Sequence, residues 1–366
     1  MYDAIIIGAR VAGSPLGMLL AGQGYRVLVV DRDRFPSDTL STTYLQPEAS
    51  ELLDRWGLLQ EVYDSGVPQV SLITNFGDGM FVAPTPEERY PAIAPRRTYL
   101  DKILVDAARE AGAEVREGFS VQEILADGSG AVTGIRGRSA AGETVREQAR
   151  IVVGADGRNS FLARHVPVVE YEVVDPATCG YYSFFSGDRG TAAEFHYNGN
   201  HAFFAFPTND GLTCLAGEAP IGAWKEFRSD PEAYLFGKMR EHASMLYARA
   251  KGVKREESWY GIQGRRAYLR KPYGEGWALL GDAACLKDPV LGTGCNDAFR
   301  DAALLSDGLH AWISGRATYE EAMAAYHEAR DTAVMENYQR TAFMSRLHSV
   351  TPEFLAQLGE GMGTPA

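Results

Sequence analysis

The chain has 366 residues, of which 45% are hydrophobic and 23% charged, and this composition argues against intrinsic disorder. Its length exceeds the usual size of one compact core, so we expect two domains. The formal net charge of -12, without a long run of Lys or Arg, argues against a nucleic-acid partner.

Neither a signal peptide nor a membrane span is expected. The apolar run at the N-terminus covers only residues 4–7, and no later stretch reaches about 18 uninterrupted apolar residues. The four cysteines form no CxxC pair, which is typical of buried thiols in a reducing compartment. We therefore expect a cytoplasmic protein.

The N-terminal residues predict a nucleotide-binding unit, with a strand at 3–7, the turn GARVAG at 8–13, a helix at 14–21 and a strand at 26–30. Gly8 permits a tight turn, Gly13 permits close approach of helix and strand, and the helix N–H groups suit a pyrophosphate. Asp31 follows Gly13 by 18 residues, near the spacing of a ribose-binding carboxylate. Arg10 replaces the middle glycine of GxGxxG, so an unrelated βαβ turn remains an alternative.

Two later stretches also place polar turns after apolar strands. Residues 151–164 predict a strand, the pair Asp156-Gly157 and a polar segment that enters a helix. Residues 276–280 predict a buried strand, and a helix is expected to begin at about Cys295, so a ligand at the intervening turn would face a helix N-terminus. The alternative is a helix-capping loop with incidental glycines.

The middle of the chain predicts an antiparallel sheet of short aromatic strands, at 179–187, 192–197, 201–207 and 212–218. Aromatic side chains either line an apolar pocket or simply favour strands, so the pocket candidates are Tyr181, Phe184, Phe203 and Phe204. A hairpin turn at Asn198-Gly199 would place His196 opposite His201. Further ligands are lacking there, so no metal site is predicted.

The C-terminal part predicts a helix over residues 317–344 with mixed charges on its polar side. We expect it to pack over the substrate domain, and a partner-binding helix is the alternative. Residues 359–366 are expected to fray.

The GARVAG turn, the Asp156-Gly157 turn and the turn after residues 276–280, in this order, resemble the FAD-dependent oxidoreductases of the p-hydroxybenzoate hydroxylase fold. That group includes group A flavoprotein monooxygenases, geranylgeranyl reductases and flavin-dependent halogenases, and the resemblance covers roughly residues 1–315. It implies an α/β fold in which a Rossmann-type FAD-binding domain is interleaved with an antiparallel β-sheet substrate domain and followed by C-terminal helices. The implied division is 1–70, 97–165 and 271–315 for FAD, 71–96 and 166–270 for substrate, and 316–366 for the helices.

The resemblance also implies roles for individual residues. Gly8, Gly13 and Asp31 would hold the adenine nucleotide half, and Asp282 would bind the ribityl chain. Arg97 would touch the flavin, and a helix N-terminus after Thr293 would face the negative charge of the reduced ring. The full implied cofactor set is Gly8, Arg10, Val11, Ala12, Gly13, Asp31, Arg32, Arg97, Val121, Asp156, Gly281, Asp282, Pro289, Gly292, Thr293, Gly294, Cys295 and Asn296.

The chain also departs from the family pattern. Hydroxylases commonly have His and Pro where this chain has Cys285 and Asp288, and Ser41 or Thr42 stands where an arginine is common. The halogenase motif WxWxIP matches residues 202–207 without its tryptophans, which argues against halogenation. No second GxGxxG unit follows, so NAD(P)H would bind transiently or a separate reductase would supply electrons.

We expect an FAD-dependent monooxygenase of secondary metabolism that uses NAD(P)H and O2 on an apolar or aromatic small molecule. No catalytic side chain is assigned, because the cofactor performs the difficult chemistry. The alternatives are a reductase or dehydrogenase of the geranylgeranyl reductase type, a flavin enzyme of redox-neutral chemistry, and a non-enzymatic flavin-binding protein.

Overall fold

The computed structural model describes residues 1–41, 43–77, 79–81, 90–348 and 351. Its strands are β1 (Tyr2–Ile7), β2 (Val27–Asp31), β3 (Gln69–Phe76), β4 (Gly79–Phe81), β5 (Ala92–Ile93), β6 (Glu114–Glu117), β7 (Ser120–Ala126), β8 (Val132–Arg138), β9 (Thr144–Gly154), β10 (Glu170–Val174), β11 (Thr178–Ser186), β12 (Ala192–Asn198), β13 (His201–Pro207), β14 (Thr213–Pro220), β15 (Lys254–Arg255), β16 (Tyr260–Gln263), β17 (Ala267–Arg270), β18 (Tyr273–Gly274), β19 (Trp277–Leu279) and β20 (Cys285–Leu286).

The helices connect these strands or cover their sheets. They are α1 (Gly13–Gly22), α2 (Pro47–Arg55), α3 (Leu59–Asp64), α4 (Arg97–Glu110), α5 (Trp224–Ser229), α6 (Pro231–His242), α7 (Ser244–Ala250), α8 (Gly294–Ile313) and α9 (Tyr319–Met344). Among the helices of the described residues, none is both long and apolar enough for a bilayer crossing.

The first sheet is built around β1. This strand pairs in parallel with β2 on one side and β9 on the other, in the order β18-β19-β9-β1-β2-β6. Helices α1, α4 and α8 pack on one face, and β8 contributes to the core on the other. Because both faces are covered, the strand carries a continuous apolar run rather than an alternating pattern. The predicted Rossmann-type unit is confirmed.

The second sheet carries the aromatic strands in the order β15-β11-β14-β13-β12-β3-β4. The predicted antiparallel pairing is confirmed for β11, β14, β13 and β12, but β12 also pairs in parallel with β3. That parallel pair joins distant segments, which strand patterns do not reveal. Helices α5, α6 and α7 cover the outer face, and the inner face packs against Tyr44 and Val290. The domain boundaries remain a prediction.

Two local expectations were wrong. The chain after Asp156 forms short 3₁₀ turns at Gly157–Asn159 and Leu162–Arg164 instead of entering a helix. The hairpin turn lies one residue later than predicted, at Gly199 and Asn200, whose φ angles are 57° and 58°. Both residue types tolerate this left-handed conformation, so composition alone did not fix the register.

This shift changes the predicted histidine pair. Asn198 pairs with His201, and His196 pairs with Phe203, so the two histidines share a face but do not lie opposite each other. His196 contacts Glu194, with 2.9 Å between Nε2 and Oε2, and His201 contacts the Tyr234 hydroxyl. The predicted pairing of the two histidines is therefore wrong.

The C-terminal helix α9 packs mainly along α8, not over the aromatic sheet as expected. Ala322, Met323 and Tyr326 join the core of the first sheet. Tyr338 belongs to the core of a small third sheet, β10-β17-β20, and Met344 reaches the inner face of the aromatic sheet. One helix thus contacts all three sheets.

A capping box starts this helix and provides a stability prediction. The Thr318 hydroxyl accepts the Glu321 N–H at 3.3 Å, and a Glu321 carboxylate oxygen accepts the Thr318 N–H at 2.9 Å. Thr318→Ala is expected to lower the free energy of unfolding by about 1 kcal/mol because the Glu321 N–H loses its cap. Urea unfolding followed by circular dichroism measures the loss. Glu328→Gln, exposed on the same helix, should stay within about 0.5 kcal/mol of wild type, and an equal loss would contradict the prediction.

Candidate active site

A cavity of about 540 Å³ lies at the carboxyl ends of β1 and β2, a size typical of ligand sites. The structure brings most of the predicted cofactor residues together in its wall, namely Gly8, Arg10, Val11, Ala12, Asp31, Arg32, Arg97, Val121, Asp156, Gly281, Asp282, Pro289, Gly292, Thr293, Gly294 and Cys295. Gly13 and Asn296 are not among the lining residues. Three turns that are far apart in sequence therefore meet at one site.

The glycines of the first turn are required by close backbone contacts. Gly8 has a φ of 105°, and a Cβ atom there would lie 2.4 Å from the carbonyl oxygen of Ala155. A Cβ atom on Gly13 would lie 1.8 Å from the carbonyl oxygen of Gly8. Gly13 therefore lies outside the cavity wall but permits the close packing of this turn, so that the amide end of α1 stays at the cavity.

Arg10, which replaces the middle glycine, binds other parts of the protein. Its Nη1 donates to Asp101 at 2.6 Å, and its Nη2 donates to Asp33 and to the Ser37 hydroxyl, both at 3.0 Å. The side chain thus connects the turn to α4 and to the segment after β2. Its charge is neutralised by protein carboxylates, which explains how an arginine fits at this position.

Asp101 is the centre of this network, and the sequence analysis missed it. It is fully buried, and its Oδ1 accepts hydrogen bonds from Nε of Arg97 at 2.9 Å. Burial is the largest single influence and lowers the pKa of Arg97, but the charge of Asp101 together with other nearby acidic groups raises it above its usual value. The spacing of four residues between Arg97 and Asp101 on a helix was the available signal.

Three predicted carboxylates face the cavity. Asp31 accepts the N–H groups of Ala9 at 2.7 Å and Asp33 at 2.8 Å. Asp156 accepts the Phe161 N–H at 2.5 Å, but its buried Oδ1 has no partner in the described residues. Burial raises the pKa of Asp31, Asp156 and Asp282. The acids retain acceptor capacity for ligand hydroxyl groups.

Asp282 points into the cavity beside three arginines, Arg265, Arg97 and Arg158, which oppose the effect of burial on its pKa. Arg158 and Arg265 line the cavity, and neither donates a hydrogen bond to the part of the protein that is described. Burial, followed by the charge of Arg158, lowers the pKa of Arg265 to about 10. This pair was missed because Arg265 reaches the site only through tertiary packing. Two such cations suit an anionic ligand group.

Helix α8 begins at Gly294, one residue before the expected start, with Thr293 as its N-cap residue. Its first amide groups therefore face the cavity. Asn296 instead exchanges two hydrogen bonds with Gln46, at 3.2 and 3.1 Å, and so anchors α2. Of the two candidates for the missing arginine position, Ser41 lines the cavity and Thr42 lies outside the described residues.

A second, aromatic cavity of about 20 Å³ adjoins the first, and both are lined by Ile262, Pro289 and Gly292. Of the four predicted pocket residues, Tyr181 and Phe204 line it, and the structure does not bring Phe184 or Phe203 to it. The rest of its wall includes Tyr182, Phe195 and Phe206, which the sequence analysis did not select.

The alternation of side chains along a strand explains why Phe204 lines the cavity and Phe203 does not, whereas Phe184 lies on the inner face but away from the cavity. Phe203 packs on the outer face among residues of α5 and α6, and the Tyr181 ring stacks on Trp224 with 5.2 Å between ring centroids. Phe204 lies on the inner face. Because nearly every position in β13 is apolar, the sequence did not indicate which face each ring would occupy.

A model of the FAD binding domain family matches residues 1–341. The chain belongs to this family. Rifampicin monooxygenase from Streptomyces venezuelae is 25% identical over 372 residues, covering 96% of this chain and 73% of that protein. Digeranylgeranylglycerophospholipid reductase 2 from Methanopyrus kandleri is 28% identical over 312 residues, covering 80% and 73% respectively. The flavin-dependent brominase Bmp2 has a similar fold, with a TM-score of 0.82 and 19% identity over 99% of this chain and 93% of Bmp2.

This flavoprotein is therefore an FAD-dependent oxidoreductase, and the observed cavity fits the cofactor. The free acceptor capacity of Asp156 and Asp282 suits the hydroxyl groups of FAD. The glycine turn provides the close backbone approach that a pyrophosphate requires.

Proposed function

We propose that this flavoprotein is a monooxygenase that uses NAD(P)H and O2 to oxygenate an apolar or aromatic small molecule. The observation that carries the proposal is the contact between the two cavities at Ile262, Pro289 and Gly292. A polar cavity for the cofactor thus meets an aromatic one at the loop before α8. The similarity to rifampicin monooxygenase over 96% of the chain supports the same reaction class.

In this proposal the adenosine half of FAD lies at the turn between β1 and α1, with Asp31 on the ribose. Asp282 binds the ribityl hydroxyls, and Arg97, held by Asp101, contacts the flavin ring. The amide end of α8 stabilises negative charge on the ring. The other predicted cofactor residues in the cavity wall complete the binding site, while Gly13 and Asn296 support it from outside.

Bound FAD supplies the electron transfer and the activation of oxygen, which amino-acid side chains do not provide. The protein positions the reactants and keeps water away from them. Tyr182, Phe195 and Phe206 form an apolar wall that excludes water from the reacting atoms. Because about 20 Å³ holds only about one water molecule, a flat substrate would lie against this wall and extend into the adjoining part of the large cavity. We keep Phe204 as a substrate contact and replace Phe184 and Phe203 by these three rings.

The reductant is proposed to be NAD(P)H, bound transiently. Arg158 and Arg265 support this choice, because these two partly buried cations carry more positive charge than the nearby carboxylate of Asp282 alone can neutralise. A separate reductase that delivers electrons is the alternative. We further propose the domain division 1–70, 97–165 and 271–315 for FAD against 71–96 and 166–270 for substrate.

A reductase is the second candidate function, and the 28% identity to a digeranylgeranylglycerophospholipid reductase favours it. An alkene would then lie against the same aromatic wall, where the small cavity joins the large one. The test is to incubate the purified flavoprotein with phenols, polyketides and isoprenoids in the presence of NADH or NADPH, and to measure O2 uptake and product mass. A gain of one oxygen supports the monooxygenase, a gain of two hydrogens supports the reductase, and no substrate-stimulated NAD(P)H oxidation contradicts both.

Asp282→Asn tests the proposed FAD-binding site. The substitution replaces the charged carboxylate by a neutral amide with one acceptor oxygen for the ribityl hydroxyls. We expect FAD affinity to fall by about tenfold, because hydrogen bonds to charged groups contribute about 1.5–3 kcal/mol and those to neutral groups about 0.5–1.5 kcal/mol. Fluorescence titration of the FAD-free protein measures this change. Asp307→Asn, exposed on α8, should bind FAD like wild type. Equal affinities of all three proteins would remove Asp282 from the proposed site.

A further inference from the structure

The N-terminus of α8 carries a threonine that does not cap its helix. Thr293 occupies the N-cap position, where a threonine hydroxyl usually accepts a hydrogen bond from one of the next amide groups. No such bond forms here, and the backbone of Thr293, with a φ of -95° and a ψ of -3°, is helical rather than extended. Thr318, the N-cap residue of α9, is extended with a ψ of 163°, and its hydroxyl does cap. The same residue type is thus used differently at the two helices.

The Thr293 hydroxyl donates instead to a residue far along the chain. It lies 3.1 Å from Oδ1 of Asn337, in the C-terminal half of α9. The same oxygen accepts a hydrogen bond from Nζ of Lys287 at 2.5 Å. A lysine ammonium has only donors, so the atom that it meets must be the amide oxygen and not the amide nitrogen. Thr293 therefore has to donate to this oxygen.

Lys287 is itself held in place from a second side. Its Nζ also lies 2.5 Å from Oδ2 of Asp297, in the first turn of α8, and only 5% of the lysine side chain is exposed. Arg300 completes this group, because its Nη1 donates to the other carboxylate oxygen of Asp297 at 2.8 Å. The buried ammonium fixes the orientation of the Asn337 amide. One side chain of α9 is thus connected to the start of α8 both directly and through Lys287.

The first amide groups of α8 consequently remain available to a ligand. Within the described part of the chain, the N–H groups of Gly294, Cys295 and Asn296 donate to no backbone or side-chain acceptor. Gly294 and Cys295 line the large cavity. Unpaired donors at a helix N-terminus attract negative charge. A capping hydroxyl at Thr293 would compete with a ligand for these amide groups.

We propose that Asn337 is a positioning residue for the cofactor: it holds the Thr293 hydroxyl away from the amide end of α8 and so raises the reduction potential of bound FAD. This inference rests on the proposed function, which places the flavin ring beside that amide end. Reduced FAD carries more negative charge there than oxidised FAD, so free amide groups stabilise the reduced form more strongly. Asn337 is not among the residues that line the large cavity, and it acts through Thr293.

The test measures the midpoint potential of bound FAD by anaerobic reduction against a reference dye, without substrate. Asn337→Leu removes the acceptor oxygen, so Thr293 is free to adopt the capping geometry of Thr318. We expect the preference of the site for reduced over oxidised FAD to fall by about tenfold, which lowers the potential of this two-electron couple by about 30 mV. Asn337→Ala is the second variant and should lower the potential as well. Gln339→Leu, which removes an exposed amide from the same helix, should keep the wild-type potential.

A double-mutant cycle separates this positioning from a general structural role of Asn337. Thr293→Val keeps the shape of the side chain but has no hydroxyl that could compete for the amide groups. In the Thr293→Val background, Asn337→Leu should therefore leave the potential where Thr293→Val alone places it. A purely structural role, in which Asn337 only anchors α9, would instead lower the potential by the same amount in both backgrounds. Circular dichroism verifies that each variant folds.

Two results would overturn the inference. One is a wild-type potential in both Asn337→Leu and Asn337→Ala, and the other is an equal effect of Asn337→Leu with and without the Thr293 hydroxyl. The measured potentials do not depend on the reaction, because neither O2 nor substrate is present. A wild-type protein that oxygenates none of the tested compounds, while its variants show the expected potentials, would reject the proposed monooxygenase alone.

Discussion

Gly13→Ala is expected to reduce FAD affinity more strongly than any other single methyl addition in the first turn. The added Cβ atom would lie 1.8 Å from the carbonyl oxygen of Gly8 and 3.0 Å from a side-chain carbon of Ile6. Backbone oxygen atoms in a tight turn do not move aside as flexible side chains do. The turn must open, and the amide groups at the start of α1 then leave the position that a pyrophosphate requires.

The expected loss in FAD affinity is more than about tenfold, which corresponds to only about 1.4 kcal/mol of binding free energy. Gly22→Ala is the matched control, because it adds the same methyl group at the end of the same helix, where no atom lies within 4 Å. That variant should bind FAD normally. Circular dichroism verifies that both variants fold, and fluorescence titration measures FAD binding. A folded Gly13→Ala protein with wild-type affinity would contradict the structure of this turn.

Asp101→Asn is expected to cost about 3–5 kcal/mol of folding free energy, as does the loss of one partner from a buried ion pair. Asp101 is fully buried and binds both Arg10 and Arg97. Without its charge, two guanidinium groups lack their shared counterion. Arg97 also loses the contact that orients it toward the cavity, so FAD affinity should fall together with stability.

Asp106→Asn tests whether the location of the charge matters. Asp106 lies one turn and a half further along α4 and pairs with Lys102 and Arg109 at the surface. Such exposed pairs contribute about 0–1 kcal/mol, so this variant should unfold almost like wild type. Chemical unfolding of the FAD-free proteins isolates stability from cofactor binding. Similar losses in the two variants would mean that Asp101 has no special role.

Local sequence patterns were sufficient for the parts of the fold that depend on short-range chemistry. The Gly8 turn, the strand that ends at Asp31 and the start of α8 all follow from backbone requirements that glycine and apolar runs reveal. The convergence of the three turns followed from the resemblance, because their order along the chain is characteristic of the family.

Contacts between residues that are far apart in the sequence were harder to predict. Arg265 reaches the site from the connection between β16 and β17, which no spacing rule indicates, and the aromatic strands did not reveal which face each ring occupies. The hairpin register failed for a similar reason, since Asn198, Gly199 and Asn200 all suit a turn. In each case two arrangements satisfy local preferences, and tertiary packing selects one.

Because α9 packs against all three sheets, this one helix connects the sheet around β1 to the aromatic sheet. A wide clamshell rotation of one sheet against the other would pull Tyr326 or Met344 out of its core. We therefore expect small molecules to enter and leave through short-range displacement of connecting segments, such as the one at Ser41, whose N–H donates to the Tyr182 hydroxyl at 2.9 Å. Turnover in this enzyme would then be gated locally, at the rim of the aromatic cavity.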